Sequence, residues 1–206
     1  MINLILKDLI IQRKTLVFMG FYIILFTFAF QSVGAGAFAG IVIAVTYQLV
    51  VTASSLEDKA GSDIIMNSLP INRRELVMAK YLSVIMYGIM GVIGYMAFSL
   101  IIRLTSIPVN TPPITLESLA AAFAGIMVMN GIYYPVYFKF GFVKARIISF
   151  ILFFAFFFGI MSLFEAASSH TSNESLLLLI NLFSGANKVQ SSILLIAGAF
   201  IFMLAS

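Results

Sequence analysis

The chain has 206 residues, 62% hydrophobic and 10% charged, with a mean hydropathy of +1.10. Soluble domains carry about 25% charged residues, so this composition excludes an ordinary soluble fold and indicates an integral membrane protein. The formal charge of +4 comes from cations dispersed along the chain, which gives no nucleic-acid-binding patch, and the absence of cysteine excludes disulfides and thiolate metal sites.

The chain opens with "MINLILKDLIIQRK", residues 1–14, where Ile2, Leu6, Leu9 and Ile10 contrast with Lys7, Asp8, Arg13 and Lys14. This is the pattern of an interfacial helix in the headgroup plane, or else of a cytoplasmic extension of the first span. A helix needs roughly 20 apolar residues to cross a hydrocarbon core about 30 Å thick. Residues 15–33, 35–54, 81–102, 118–138 and 147–164 meet or nearly meet that length. The first of these, after its polar lead, reads as an uncleaved span rather than a signal peptide. A sixth, about 188–206, is apolar from Ser191 and is short for a full crossing unless it starts earlier or the natural chain continues.

The first two spans are joined at "QSVGAGAFAG", where Gly34 and Gly36 permit a tight turn and a helical hairpin is expected. Gly88, Gly91 and Gly94 recur in the third span as a small-residue strip suited to close packing against another helix. The loop after that span contains Pro108, Pro112 and Pro113, and Thr115 or Glu117 marks the next helix start. In the fourth span, "MNGIYYPVYF" carries Pro135, whose missing donor frees a carbonyl near residue 131 and predicts a kink. Asn130, Tyr133 and Tyr134, with Gln48 of the second span, are candidates for lining a path; ordinary helix packing is the other reading. The fifth span is dense in phenylalanine on all faces. The segment that follows includes an apolar run from Leu176 to Phe183, too short to cross, that reads as a re-entrant or interfacial outer helix or as a packed loop.

Cations set the orientation. Lys7, Arg13 and Lys14, then Lys59, Arg73, Arg74 and Lys80, then Lys139, Lys144 and Arg146 all fall on one side of the six-span arrangement, leaving only Arg103 and Lys188 on the other. The positive-inside rule places the crowded side, and the N-terminus with it, in the cytoplasm.

Catalytic chemistry is sparse. His170 is the only histidine and sits in a polar loop, every Asp and Glu lies in a loop or at the edge of a span, and no GxxxxGK[ST] occurs. An ion-coupled carrier keeps a titratable group at membrane depth, and none stands in these spans. Energy for uphill movement would therefore have to reach the chain from outside it.

One polar island interrupts this pattern. Residues 55–76, "SLEDKAGSDIIMNSLPINRREL", hold seven of the twenty charged side chains. They read as a helix from Leu56 to about Leu69, a break at Pro70, and a new helix capped by Asn72 with Glu75 three residues on. The island is either a lever, gripped by something in the cytoplasm, or a solvated connector whose charges fix topology. The residues themselves leave both readings open.

The stretch "LEDKAGSDIIMNSLPINRRELVMAKYL" resembles the intracellular loop of ABC-2-type transporter permeases, with Glu57, Lys59, Gly61, Ser68, Leu69, Pro70, Arg73, Ala79, Lys80 and Tyr81 at the matching places. Size and compact loops look most like the bacterial peptide-exporter permeases, including the membrane subunits of the phenol-soluble-modulin exporter. The resemblance implies an all-α integral membrane protein, a single transmembrane domain over residues 1–206. Its parts would be six transmembrane helices, an N-terminal interfacial helix, a cytoplasmic coupling helix between spans 2 and 3, and a re-entrant segment before span 6. It implies a bacterial plasma-membrane half-transporter without a catalytic site or cofactor of its own. Its partners would be two cytoplasmic ABC ATPase subunits, which bind ATP and magnesium, and a second permease copy or paralogue. In that assembly Asp63, Asn67 and Ser68 would make polar contacts with the ATPase, Ile64, Ile65 and Leu69 would anchor it, and Glu57, Lys59 and Arg73 would steer the fit. Walls rich in phenylalanine and methionine suit an amphipathic peptide or lipid-like cargo, because a polar solute would lose its water without replacement bonds. A non-transporting scaffold or an immunity-type protein that sequesters a peptide is the alternative.

Overall fold

Backbone that crosses a bilayer has to satisfy its hydrogen bonds internally, and a helix does so within one segment. The computed structural model describes residues 10, 12–30, 36–61, 73–105, 111–168 and 188–205, and these are helical almost throughout, with no strand among them. The helices are α1 (Arg13–Ala29), α2 (Ala37–Lys59), α3 (Arg73–Thr105), α4 (Leu116–Ser168) and α5 (Lys188–Ala205). Among the described residues, three helical segments are long and apolar enough to cross a membrane: Ala37–Lys59, Arg74–Thr105 and Leu116–Gly159. Most of the expected interfacial helix (residues 1–9), the segment around Pro70 (62–72) and the expected re-entrant segment with His170 (169–187) lie outside the described residues.

The chain divides into two compact units, Met1–Pro113 and Ile114–Ser206. In the first, α2 is the most enclosed helix, with Phe38, Ile41, Val42, Val45, Leu49 and Val50 all at 1% exposure or less. The glycine strip of α3 packs as its spacing predicts. A Cβ added at Gly91 would stand 3.3 Å from Thr46 Oγ1 of α2, and one at Gly94 would collide with Met19 and come within 2.9 Å of Ile23 Cδ1, both of α1. Absence of side chains there is what lets α3 approach both neighbours. On the opposite side of α1, Val17, Phe18, Phe21, Ile24 and Phe28 are exposed, an apolar face suited to lipid. Gln12, just ahead of α1, is buried and donates through Nε2 to the carbonyl of Leu49 at 2.5 Å, tying the entry of α1 to α2. Tyr95 packs edge-on against Phe38, with centroids 5.1 Å apart, and donates its hydroxyl to the Pro112 carbonyl at 2.9 Å, fastening the proline-rich loop to α3.

In the second unit, α4 starts at the expected threonine. Ser118 N–H donates to Thr115 Oγ1 at 3.1 Å and Thr115 N–H to Ser118 Oγ at 2.9 Å, a reciprocal cap that satisfies donors left open at a helix start. Helix α5 lies against the first half of α4: Gly131 meets the Phe202 ring, and Ala124, Met127 and Ala199 form a small core with Val128 and Met203.

The backbone leaves helical geometry six residues after Pro135, where a kink is expected. Pro135 lies inside α4, and the one non-helical residue of that helix is Gly141, with φ 77° and ψ 172°. A glycine reaches that conformation without steric cost, whereas a residue with a Cβ does not. The break therefore falls at the polar turn between the two apolar stretches expected as spans 4 and 5.

Candidate functional site

The polar island begins as a continuation of α2. Apolar side chains carry this helix to Ser54, and Ser55, Leu56, Glu57, Asp58 and Lys59 extend it without a break. It ends where Gly61 takes φ 59°: Ala60 N–H donates to the Leu56 carbonyl at 3.0 Å and Gly61 N–H to the Asp58 carbonyl at 3.1 Å. A left-handed glycine just past the last turn is a common helix ending, because it lets the chain turn while satisfying terminal carbonyls. The helix expected to run unbroken from Leu56 to Leu69 is thus corrected. Glu57 and Lys59 belong to the end of α2, separated by the Gly61 turn from Asp63, Ile64, Ile65, Asn67, Ser68 and Leu69, which lie outside the described residues. The chain re-enters a helix at Arg73 and runs unbroken through Lys80 into the apolar body of α3.

This arrangement brings the two stems of the island together. Lys80 Nζ stands 2.5 Å from Glu57 Oε2, and the two residues are only 7% and 4% exposed. Around them lie Ala53, Ser54, Ala79, Ser83, Val84 and Tyr87, all buried. Ser54 and Ser83 donate their hydroxyls back to the carbonyls of Val50 and Ala79. Toward the loop, Asp58, Lys59, Ala60, Arg74 and Glu75 are exposed. Glu57, assigned a steering role by resemblance, is held within the chain, while Lys59 is open.

Hiding two charges from water costs several kcal/mol per ion, and only close geometry offsets it. The pair ties the end of α2 to the early turns of α3, on either side of residues 62–72. Deeper along the same seam, Tyr87 and Thr46 are buried, and Gly91 sits against Thr46.

The candidates for a path fall into two sets. Gln48, half-buried on α2, accepts the Thr52 hydroxyl at its backbone carbonyl. Asn130, Tyr133 and Tyr134 are 1%, 1% and 2% exposed within the second unit. Asn130 Nδ2 donates to the Ile126 carbonyl at 2.8 Å, while Oδ1 has no hydrogen-bond partner among the described residues. Tyr133 stacks on Tyr137 and Tyr134 on Phe138. Tyr133, Tyr134 and Tyr137 form a buried aromatic row beside an amide, with Phe138 at its exposed edge. Among the described residues no three carboxylates or histidines gather to hold a metal.

Lys80, which the sequence places among the orienting cations and within the resembling motif, is the partner of Glu57. The available signal was an acid closing one apolar span and a lysine opening the next, each beside a small residue: Ser55 near Glu57 and Ala79 beside Lys80.

A helical chain with several membrane-length apolar segments, and its charges gathered at their ends, is a multi-pass membrane protein. Its family follows from a comparison with family models: the model described as ABC-2 family transporter protein matches residues 3–206, and the chain belongs to that family. No curated protein and no solved structure matches the chain.

Proposed function

We propose that this chain is the membrane-spanning permease subunit of an ATP-driven ABC exporter, with six spans, a cytoplasmic N-terminus and a separate ATPase as its motor. The single observation that carries this reading is the Glu57–Lys80 pair at the mouth of the polar loop, in a family member whose described residues contain no ATPase fold. A loop rooted in two clamped helices is built to pass displacement inward. In this reading, residues 62–72 form the coupling element. Asp63, Asn67 and Ser68 make its polar contacts with the ATPase, Ile64, Ile65 and Leu69 its apolar ones, and Arg73 and the exposed Lys59 steer approach from the flanks. Glu57 serves the clamp instead.

Closure of the two ATPase subunits on ATP and magnesium pushes the loop, and α2 and α3 tilt as a pair. Access then changes along a path between this permease and a second copy or paralogue, with Gln48, Asn130, Tyr133 and Tyr134 near it. Apolar, aromatic helices favour an amphipathic peptide or lipid-like cargo, since few buried groups stand ready to replace the water of a polar solute.

The test is to replace Asp63 and Leu69 singly by alanine and by arginine and to measure both co-purification with the ATPase and ATP-dependent export. The arginine variants are expected to lose both. Undiminished binding and export in all four variants contradict the assignment.

A further inference from the structure

The break in α4 carries a feature that the transport reading leaves unused. Lys139, Lys144 and Arg146 lie within eight residues around Gly141, and all three are exposed. No acidic residue occurs between Glu117 and Glu165, so nothing on this stretch of chain neutralises them. Their neighbours are exposed too, but apolar: Phe140 is 48% exposed, Val143 68% and Ile147 61%. Lys139 Nζ lies 5.5 Å from the centre of the Phe140 ring, which holds cation and ring as one surface.

Helical spacing gives this patch an orientation. After the break, Phe142, Ala145 and Ser149 are buried and form the inward stripe. At 100° per residue, Lys144 and Arg146 flank Ala145 on either side, and Val143 and Ile147 face away from it. Cations at the flanks with apolar groups between them are the arrangement of a helix entering a bilayer, where long basic side chains reach up to the headgroups while the stem stays in hydrocarbon. Both halves of α4 are apolar, and in the six-span reading the glycine break stands at the edge of the hydrocarbon layer, level with the headgroups.

We infer that the Gly141 break is a docking site for anionic phospholipid, with Lys139, Lys144 and Arg146 holding the headgroup phosphates and Phe140, Val143 and Ile147 lying along the acyl chains. One class of molecule supplies both halves of the match, a negative head joined to an apolar tail. An acidic protein face would satisfy the cations but leave the outward apolar side chains without hydrocarbon. The inference rests on the chain being a membrane protein and not on the coupling assignment.

The chain has no tryptophan, so Phe140→Trp places a single fluorescent reporter at the site. The protein is reconstituted in phosphatidylcholine vesicles carrying the same fraction of either brominated phosphatidylglycerol or brominated phosphatidylcholine, and quenching is compared. Each engaged cation favours an anionic lipid by about fivefold, so enrichment of phosphatidylglycerol at the reporter should be at least roughly that large. It should fall with added salt, and should vanish when Lys139, Lys144 and Arg146 are all replaced by glutamine. A reporter at Phe21→Trp, on the uncharged lipid face of α1, should show no preference between the two lipids.

Equal quenching at position 140 overturns the inference, as does a preference that survives the triple substitution. The salt series needs only the reporter variant, so a triple variant that fails to insert leaves the test intact. If the reporter is shielded from both brominated lipids and responds only to added ATPase, the surface docks protein and the inference fails.

Discussion

Glu57 and Lys80 close an ion pair across the foot of the polar loop, 2.5 Å apart and both almost sealed from solvent. Glu57 lies in the last turn of α2 and Lys80 two turns into α3, so the pair ties the two helices to each other. In the proposed coupling, displacement of the segment between them would act on both helices.

Removing one member takes the close opposite charge from the other. Glu57→Gln or Lys80→Met alone is expected to destabilise the first unit by about 3–5 kcal/mol, the range for breaking a buried pair, whereas the double variant Glu57→Gln/Lys80→Met recovers much of that loss. Thermal unfolding in detergent, run as a double-mutant cycle, checks this. Additive losses would mean that the two charges do not act on each other.

The close approach of α3 to α1 depends on Gly94. Gly94→Val puts a branched side chain against Met19 and Ile23 and should lower the unfolding temperature markedly, by an overpacking cost of about 1–3 kcal/mol. Gly20→Val supplies the control, since a Cβ at Gly20 meets nothing within 4 Å. Its effect should stay near helix propensity alone, at most a few tenths of a kcal/mol.

Gly141 is constrained by its backbone and not by space. A Cβ there meets no atom within 4 Å, yet φ is 77°. Gly141→Ala is therefore expected to cost about 1–2 kcal/mol through left-handed strain, although it touches nothing. Gly159→Ala, in a helical stretch with equal room, should be neutral or slightly stabilising. Equal unfolding temperatures for the two variants would contradict the break at Gly141.

The Tyr95 hydroxyl anchors the loop that follows α3. Tyr95→Phe deletes the bond to the Pro112 carbonyl while keeping the ring against Phe38, and should cost about 1 kcal/mol. Proteolysis of the 106–113 loop should quicken in this variant. An unchanged cleavage rate would show that the bond does not hold the loop.

Apolar runs made the helices legible, because the bilayer constraint is strong and acts over some twenty residues at a time. Helix α2 from Ala37 and the body of α3 fall where hydropathy puts them, and Gly91 and Gly94 mark close contacts because small residues have few other uses there. Local breaks were less legible. Pro135 keeps helical backbone angles, while the backbone break falls at Gly141, which its bare identity does not announce, since a glycine's φ is set by surroundings beyond the local sequence. The Glu57–Lys80 pair was hidden for another reason: its partners are far apart in sequence and meet only because α2 outlasts its apolar stretch and α3 begins before its own. That extension moved Glu57 from the expected contact surface into the interior.

The central claim is that the loop between α2 and α3 is a cytoplasmic handle for a separate motor. The chain contains no cysteine, so Leu69→Cys gives one reactive thiol in an otherwise silent background. Labelling with a membrane-impermeant maleimide, in inside-out and right-side-out vesicles, with and without the ATPase bound, tests the claim most directly. The account predicts labelling only from the cytoplasmic face and protection once the ATPase is bound; labelling from the outer face, or labelling indifferent to the ATPase, would contradict it.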